Sequence, residues 1–73
     1  MEDPRAYVRI ADLLRQQITA GVLTAGQPVP SIATLTQDHG VARQTAAKAL
    51  QVLESEGLVY RVPGLGYYVT ERQ

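Results

Sequence analysis

Residues 41–60 read VARQTAAKALQVLESEGLVY, and this stretch organises the rest of the chain. Its apolar residues recur at helical spacing and form one stripe, made of Ala46, Ala49, Leu50 and Leu53. Gly57 suits the position just after a helix, because a helix that ends in the left-handed conformation favours a residue without Cβ there. The pattern predicts a helix over about residues 43–56 with an apolar back.

The remaining surface of this helix is polar. It carries one Arg, one Lys and three neutral hydrogen-bonding side chains, in the order Arg43, Gln44, Thr45, Lys48 and Gln51. The major groove of DNA accepts a helix of this kind when a shorter helix precedes it across a tight turn. The segments on either side therefore decide whether the interpretation holds.

Length and composition narrow the class of protein. The chain has 73 residues, of which 45% are hydrophobic, with no cysteine and a single histidine. We expect one small domain over residues 1–73. The absent cysteines exclude disulfides and thiolate metal sites, and one histidine excludes a histidine cluster, so no metal or cofactor is expected. No apolar run approaches the ~20 residues that span a bilayer, and no signal-peptide pattern opens the chain, so a cytoplasmic location is expected.

The net charge is zero, with seven basic and seven acidic residues. A strong nonspecific nucleic-acid binder gains its affinity by neutralising phosphates, so a balanced charge counts against that class. For a protein that binds a specific sequence, the distribution of charge over the surface matters more than the net charge. Arg43, Lys48 and Arg61 lie early in the predicted helix and on the following strand, whereas Glu54 and Glu56 lie at the helix end.

The beginning of the chain predicts a first helix, roughly from Pro4 to Ala20. Asp3 and Pro4 form a helix-start signature, since Asp accepts hydrogen bonds from free N–H groups and Pro suits the first helical position. Gly21 is a stop signal. The apolar residues that follow helical spacing are Tyr7, Ile10, Ala11, Leu14, Ile18 and Val22.

A connector and a short second helix come next. Residues 21–30 contain two Gly and two Pro, and residues 27–30 are compatible with a short edge strand, where Pro is tolerated. Ser31 is placed to cap a helix over Ile32 to His39, with Gly40 after its end. Ala42 is a poor N-cap for the helix that follows.

Two runs of β-forming residues close the chain. They span residues 58–62 and 67–70, and a four-residue turn, Pro63 to Gly66, separates them. Strand alternation places Tyr67 and Tyr68 on opposite faces, so that one ring packs and the other is free to meet a partner. The expected fold is α+β: a winged helix-turn-helix of three helices and a C-terminal β-hairpin wing.

The residues also carry a family resemblance over nearly the whole chain. The matching pieces are residues 18–23, 25–27 and 29–31, then Gly-Val-Ala-Arg-Gln-Thr at 40–45, Ala-Leu at 49–50, Leu-Glu-Ser-Glu-Gly-Leu-Val at 53–59, and the glycine-containing wing before residues 67–69. With these pieces in this order, the chain resembles the N-terminal DNA-binding domain of the GntR family of bacterial transcription regulators.

The resemblance implies a bacterial, cytoplasmic repressor or activator that binds a palindromic operator as a dimer. The third helix would enter the major groove, and the 62–67 hairpin would reach the backbone or the minor groove. The family's helix-three Arg and the Thr two places on correspond to Arg43 and Thr45, and the wing glycine corresponds to Gly64.

The chain departs from the family pattern in two places. Ala33 and Ala47 stand where members often have Arg, and each missing Arg could have contributed ~1–3 kcal/mol of base discrimination or a phosphate contact. Most members also carry a C-terminal domain that binds an effector and dimerises. This chain, whether a natural single domain or an excised one, contains no recognisable effector pocket.

We consider three classes of function for this chain. The first is binding of double-stranded DNA, with base reading by Arg43 and Gln44. In this hypothesis the phosphate or backbone contacts come from Ser31, Thr34, Thr45 and Lys48, and from the wing tip at Gly64, Leu65 and Gly66. The second is a protein-interaction module with an apolar wing tip at Leu65. The third, an enzyme, is rejected, because His39 has no evident carboxylate or nucleophile partner.

Overall fold

The computed structural model describes residues 4–71, which form three helices followed by a two-stranded antiparallel hairpin. The helices are α1, Ala6–Thr19, α2, Ile32–His39, and α3, Arg43–Ser55. The strands are β1, Val59–Val62, and β2, Gly66–Val69. This element order is the expected winged helix-turn-helix. No helix among residues 4–71 has both the length and the apolar character needed to cross a membrane.

The first helix begins later than the sequence suggested. Pro4 lies in a turn, and Arg5 occupies the N-cap position with no side-chain cap. The proposed capping residue, Asp3, lies outside the described residues. Val22 also departs from the prediction: it lies beyond the end of α1 and is 66% exposed, because the chain turns at residues 20–22 and the helical stripe stops with it.

The second helix has the predicted bounds. The Oγ of Ser31 accepts a hydrogen bond from the backbone N–H of Thr34 at 3.0 Å, which satisfies one of the free donors at the helix start. Gly40 ends the helix in the left-handed conformation, with φ of 64°. Residues 40–42 then form the short turn into α3, whose N-cap, Ala42, makes no side-chain cap.

The core lies between the helices and the inner face of the hairpin. The apolar stripe of α3 is completely buried, at 0% exposure for each of Ala46, Ala49, Leu50 and Leu53. Leu14 of α1 and Leu35 of α2 pack into the same cluster. The hairpin closes it with Val59 and Val69, which are paired across the strands. A stripe buried this fully fixes which side of α3 remains exposed.

The hairpin has a shorter turn than the predicted four residues. Val62 pairs with Gly66, so Gly66 belongs to β2 and only residues 63–65 form the loop. The N–H of Leu65 donates to the carbonyl of Val62 at 3.0 Å. Pro63 and Gly64 occupy the two central turn positions, and Gly64 has φ of 81°, as a type II turn requires. Because Pro and Gly close this turn by themselves, pairing resumes one residue earlier than expected.

The connector before α2 forms a minimal third strand. Pro28 makes an isolated antiparallel bridge with Tyr68. The N–H of Val29 donates to the carbonyl of Tyr67, and the N–H of Val69 donates to the carbonyl of Gln27, both at 2.9 Å. The short edge strand that the sequence allowed is therefore present as one bridge, and it anchors β2 against the start of α2.

Candidate nucleic-acid interface

The exposed side of α3 presents the residues that the sequence singled out. Arg43 and Gln44 are exposed in its first turn, and Gln51 is exposed two turns further along. Gln44 and Gln51 are seven residues apart, so they lie within about 20° of each other around the helix axis. The side chains of Arg43 and Gln44 make none of the hydrogen bonds or ion pairs among the described residues. Their donors and acceptors are free to meet a partner.

Thr45 lies differently from these two residues. Its side chain is half-buried, and its N–H donates to the carbonyl of Ala42 at 3.1 Å. Thr45 therefore helps to close the first turn of α3, and its position is at the edge of the exposed face.

Lys48 lies on the side of α3 that faces α1. Its Nζ is 4.3 Å from the centroid of the Tyr7 ring, a cation–π contact. Such a contact at an exposed site contributes about 0.5–1 kcal/mol and restricts where the ammonium group points. Sequence spacing could place Lys48 on the polar side of α3, but it contained no signal that a ring of α1 would hold it.

The start of α2 brings together the two predicted hydroxyl residues. Ser31 and Thr34 are both exposed, and the Ser31 hydroxyl donates to the Thr34 Oγ1 at 3.0 Å while its oxygen caps the helix. In this arrangement the hydroxyl proton of Thr34 remains available to an external acceptor. Ala33, between them, is exposed and contributes only a methyl group.

The wing tip projects from the far end of the hairpin. Gly64 and Leu65 are exposed, Leu65 at 72%, and Gly66 is half-buried at the start of β2. Along the hairpin Tyr67 packs against the core, whereas Tyr68 stacks on Tyr60 with ring centroids 6.1 Å apart. The predicted division of the two tyrosines between opposite faces is confirmed, but the second ring is not free as predicted, since Tyr68 is half-buried and stacked on Tyr60.

An ion pair joins α1 to the end of α3. Nε and Nη2 of Arg15 donate to the two carboxylate oxygens of Glu56 at 2.9 and 2.8 Å, and Nη1 donates to Asp12. The hydrogen bond to Glu56 is the main cause that raises the pKa of Arg15 above its usual value. The charge of Glu56 is thus satisfied within the domain.

A cleft separates α3 from the hairpin. Its lining residues are Ile32, Ala47, Gln51, Glu54, Arg61 and Tyr67. Arg61 was predicted as a positive charge on a strand, and no sequence signal placed it near α3. Only the register of the hairpin, in which Arg61 lies opposite Tyr67, brings it to this cleft.

These features define a class of protein: a winged helix-turn-helix domain with an exposed, hydrogen-bonding third helix, as in DNA-binding domains. The family model for bacterial regulatory proteins of the gntR family matches residues 6–69. The chain therefore belongs to the GntR family.

Individual relatives agree with this assignment. The chain is 37% identical over 65 residues to the HTH-type transcriptional repressor NagR of Bacillus subtilis. This match covers 89% of the chain and 27% of NagR. It is 40% identical over 60 residues to the regulator GgaR of Escherichia coli K12, covering 82% of this chain and 24% of GgaR. The chain thus spans about a quarter of the length of these curated relatives.

A solved structure shows the same fold on DNA. The DNA-binding domain of AraR in complex with its operator ORR3 matches with a TM-score of 0.86 and 33% identity, covering 96% of this chain and 83% of that one. A GntR-family regulator from Listeria monocytogenes matches with the same TM-score at 29% identity, over 99% of this chain and 64% of that one. The relatives are transcriptional regulators rather than enzymes.

Proposed function

We propose that residues 1–73 act as one domain that binds a double-stranded DNA operator, with α3 in the major groove and the 62–67 hairpin as the wing. The observation that carries the proposal is the exposure of Arg43 and Gln44 at the start of α3, on a helix whose apolar back is fully buried. Arg43 would read guanine through O6 and N7, and Gln44 would read adenine through N6 and N7. The similar DNA-binding domain of AraR, solved in complex with its operator, supports DNA binding by this fold.

The other predicted residues would position the domain on the backbone. Thr34 offers its hydroxyl proton to a phosphate, and Ser31 holds Thr34 in place. Lys48, whose ammonium group lies over the Tyr7 ring, would bind a phosphate. Thr45 would bind one from the edge of the exposed face. At the wing tip Gly64, Leu65 and Gly66 would approach the duplex, where a turn without bulky side chains allows close contact.

Assembly and location complete the proposal. A palindromic operator requires two copies, with half-sites one helical turn or a multiple apart. We expect a monomer in solution that pairs on DNA, in the bacterial cytoplasm, where chromosomal DNA is accessible.

The test is selection of binding sites from a random duplex pool, followed by fluorescence anisotropy on the enriched sequence. Arg43→Ala is expected to weaken binding by ~1–3 kcal/mol, or roughly 5- to 150-fold, and to relax specificity at one base pair. Arg43→Lys is the matched control: it keeps the charge but loses the planar two-donor fork, so specificity falls while the salt dependence stays. A pool with no enriched sequence would overturn the proposal.

A second candidate function is contact with a protein through the wing. The observation in its favour is exposed apolar surface on the hairpin, with Leu65 at 72% and Tyr60 at 44% exposure. Apolar contact is insensitive to salt, whereas phosphate binding weakens steeply with it. Leu65→Ser would abolish a protein contact of this kind and leave the salt dependence of DNA binding unchanged.

A further inference from the structure

The ammonium group of Lys48 lies over the ring of Tyr7, on the side of α3 that packs along α1. Its Nζ is 4.3 Å from the ring centroid, inside the ~6 Å within which an aromatic face attracts a cation. Lys48 is exposed, and its side chain makes none of the ion pairs or hydrogen bonds among residues 4–71. Within this part of the chain, the ring of Tyr7 is therefore the group that restrains the ammonium.

Tyr7 is itself held in place by the core. It is the second residue of α1, it is half-buried, and it packs against the buried cluster that includes Ile10, Ala11 and Leu50. A tyrosine side chain has two χ angles, so a ring packed in this way loses little further freedom. A lysine side chain is far more flexible and loses much conformational entropy wherever it becomes ordered. The ring of Tyr7 thus supplies a fixed surface for a flexible cation.

The position of this contact relates it to the proposed interface. Lys48 follows Gln44 by four residues, so the two side chains are neighbours on the surface of α3. The major groove is about 12 Å wide and has a phosphate backbone along each side. With Gln44 at the base edges, a cation on the side of α3 that faces α1 lies toward one of those backbones.

We propose that Tyr7 is a positioning residue for DNA binding, whose ring holds the ammonium group of Lys48 ready for a backbone phosphate. The two contacts are compatible, because an ammonium group has three N–H donors and a ring covers one side of it only. A lysine that is already held loses less conformational freedom when it binds, and this preorganisation raises affinity. The inference rests on the proposed function, in which Lys48 binds a phosphate, and adds Tyr7 to it.

The test is a double-mutant cycle, measured by fluorescence anisotropy on the duplex selected by the wild-type protein. Tyr7→Leu is expected to weaken binding roughly two- to fivefold, the factor by which an exposed cation–π contact raises the population of the held conformer. In the Lys48→Gln background the same substitution is expected to have no effect, because no ammonium group is left to position. Tyr7→Phe is the matched control, since it keeps the ring face and is expected to bind as the wild type does.

The salt dependence separates positioning from charge. Each neutralised phosphate contributes about 0.9 to the slope of log affinity against log salt concentration. Lys48→Gln is expected to reduce the slope by about 0.9. Tyr7→Leu leaves the charge in place, so it is expected to weaken binding and retain the slope. A general loss of packing at α1 would instead weaken binding by the same factor with and without Lys48.

A measurement on the wild-type protein covers the case in which Tyr7→Leu proves unstable in circular dichroism melts. Protons that lie over the face of an aromatic ring resonate upfield. The Hε protons of Lys48 are therefore expected to be shifted upfield in NMR spectra of the free protein and of its complex with the selected duplex. Unshifted Hε protons in the free protein, or a shift that disappears on binding, would contradict the positioning role.

The outcomes separate this inference from the function on which it rests. Wild-type protein that selects no site would overturn both. If the wild type selects a site, a Tyr7→Leu variant that binds as tightly or more tightly would overturn the role of Tyr7 alone. The same conclusion would follow from equal losses with and without Lys48, or from a Tyr7→Phe variant as weak as Tyr7→Leu, which would assign the effect to the hydroxyl group.

Discussion

Ser31 shows how one side chain can serve both the fold and the interface. Its oxygen accepts the N–H of Thr34 at the start of α2, and its hydroxyl orients the Thr34 hydroxyl. Both bonds lie at an exposed end of the helix-turn-helix, beside Ile32, which lines the cleft. A substitution here is expected to affect stability first and DNA contact second.

Ser31→Ala is expected to lower the free energy of unfolding by about 1 kcal/mol, since it leaves a helix N–H without its cap. Urea denaturation measures the change. Ser31→Asn is the control, because Asn caps helices as well as Ser does and adds no charge near a phosphate. Equal loss of stability in both variants would contradict the assigned capping role.

The helix α3 divides its residues between two tasks. Its buried side faces α1, α2 and the hairpin and has no exposed surface at Ala46, Ala49, Leu50 and Leu53. Its exposed side carries Arg43, Gln44 and Gln51. Helical periodicity separates the two sides, so a substitution on one side has little effect on the task of the other.

Leu50→Ala and Gln44→Ala test this division within one helix. The first removes a completely buried side chain and is expected to cost about 2–5 kcal/mol of folding free energy. The second is an exposed substitution, expected to change stability by less than about 0.5 kcal/mol while weakening binding to the selected site. Thermal melts and anisotropy on the same preparations distinguish them; a Gln44→Ala variant with unaltered affinity would remove Gln44 from the interface.

The free energy lost in Leu50→Ala is large compared with the total stability of a small domain. Proteins of this size have roughly 0.05–0.15 kcal/mol of stability per residue, or about 4–11 kcal/mol for 73 residues. One buried leucine therefore contributes a large part of the total free energy of unfolding. Exposed contacts such as the pair between Arg15 and Glu56 contribute at most about 1 kcal/mol each, and salt weakens them.

At the scale of the whole molecule, zero net charge limits attraction to arbitrary DNA. The positive side chains near the interface, Arg43, Lys48 and Arg61, act at short range, while seven acidic residues, among them Glu54 beside Arg61, balance the charge of the whole chain. Specific contacts must therefore provide most of the affinity.

We expect affinity for a scrambled duplex near the weak end of the usual nonspecific range, about 10⁻⁴ M at physiological salt. Anisotropy with a labelled scrambled duplex at about 0.15 M salt measures it. Micromolar binding to that duplex would contradict the argument from charge balance. The comparison with the selected duplex, in the same buffer, gives the specificity ratio directly.

Local patterns in the sequence determined the three helices, the cap at Ser31, the buried stripe of α3 and the existence of the hairpin. Each depends on residues close together in the chain: spacing around a helix, a side chain that bonds three residues ahead, or a glycine that permits a turn. The bounds of α2 were predicted for this reason, while the start of α1 and the length of the hairpin turn were wrong by one or two residues.

Only the tertiary structure decided where the charges lie relative to one another. Lys48 rests on Tyr7, which is forty-one positions earlier, and Glu56 is bound by Arg15 at the same separation. Arg61 reaches the cleft beside α3 because the hairpin register places it opposite Tyr67. These contacts join residues distant in sequence, and their geometry follows from how the helices and the hairpin pack, which no local spacing specifies.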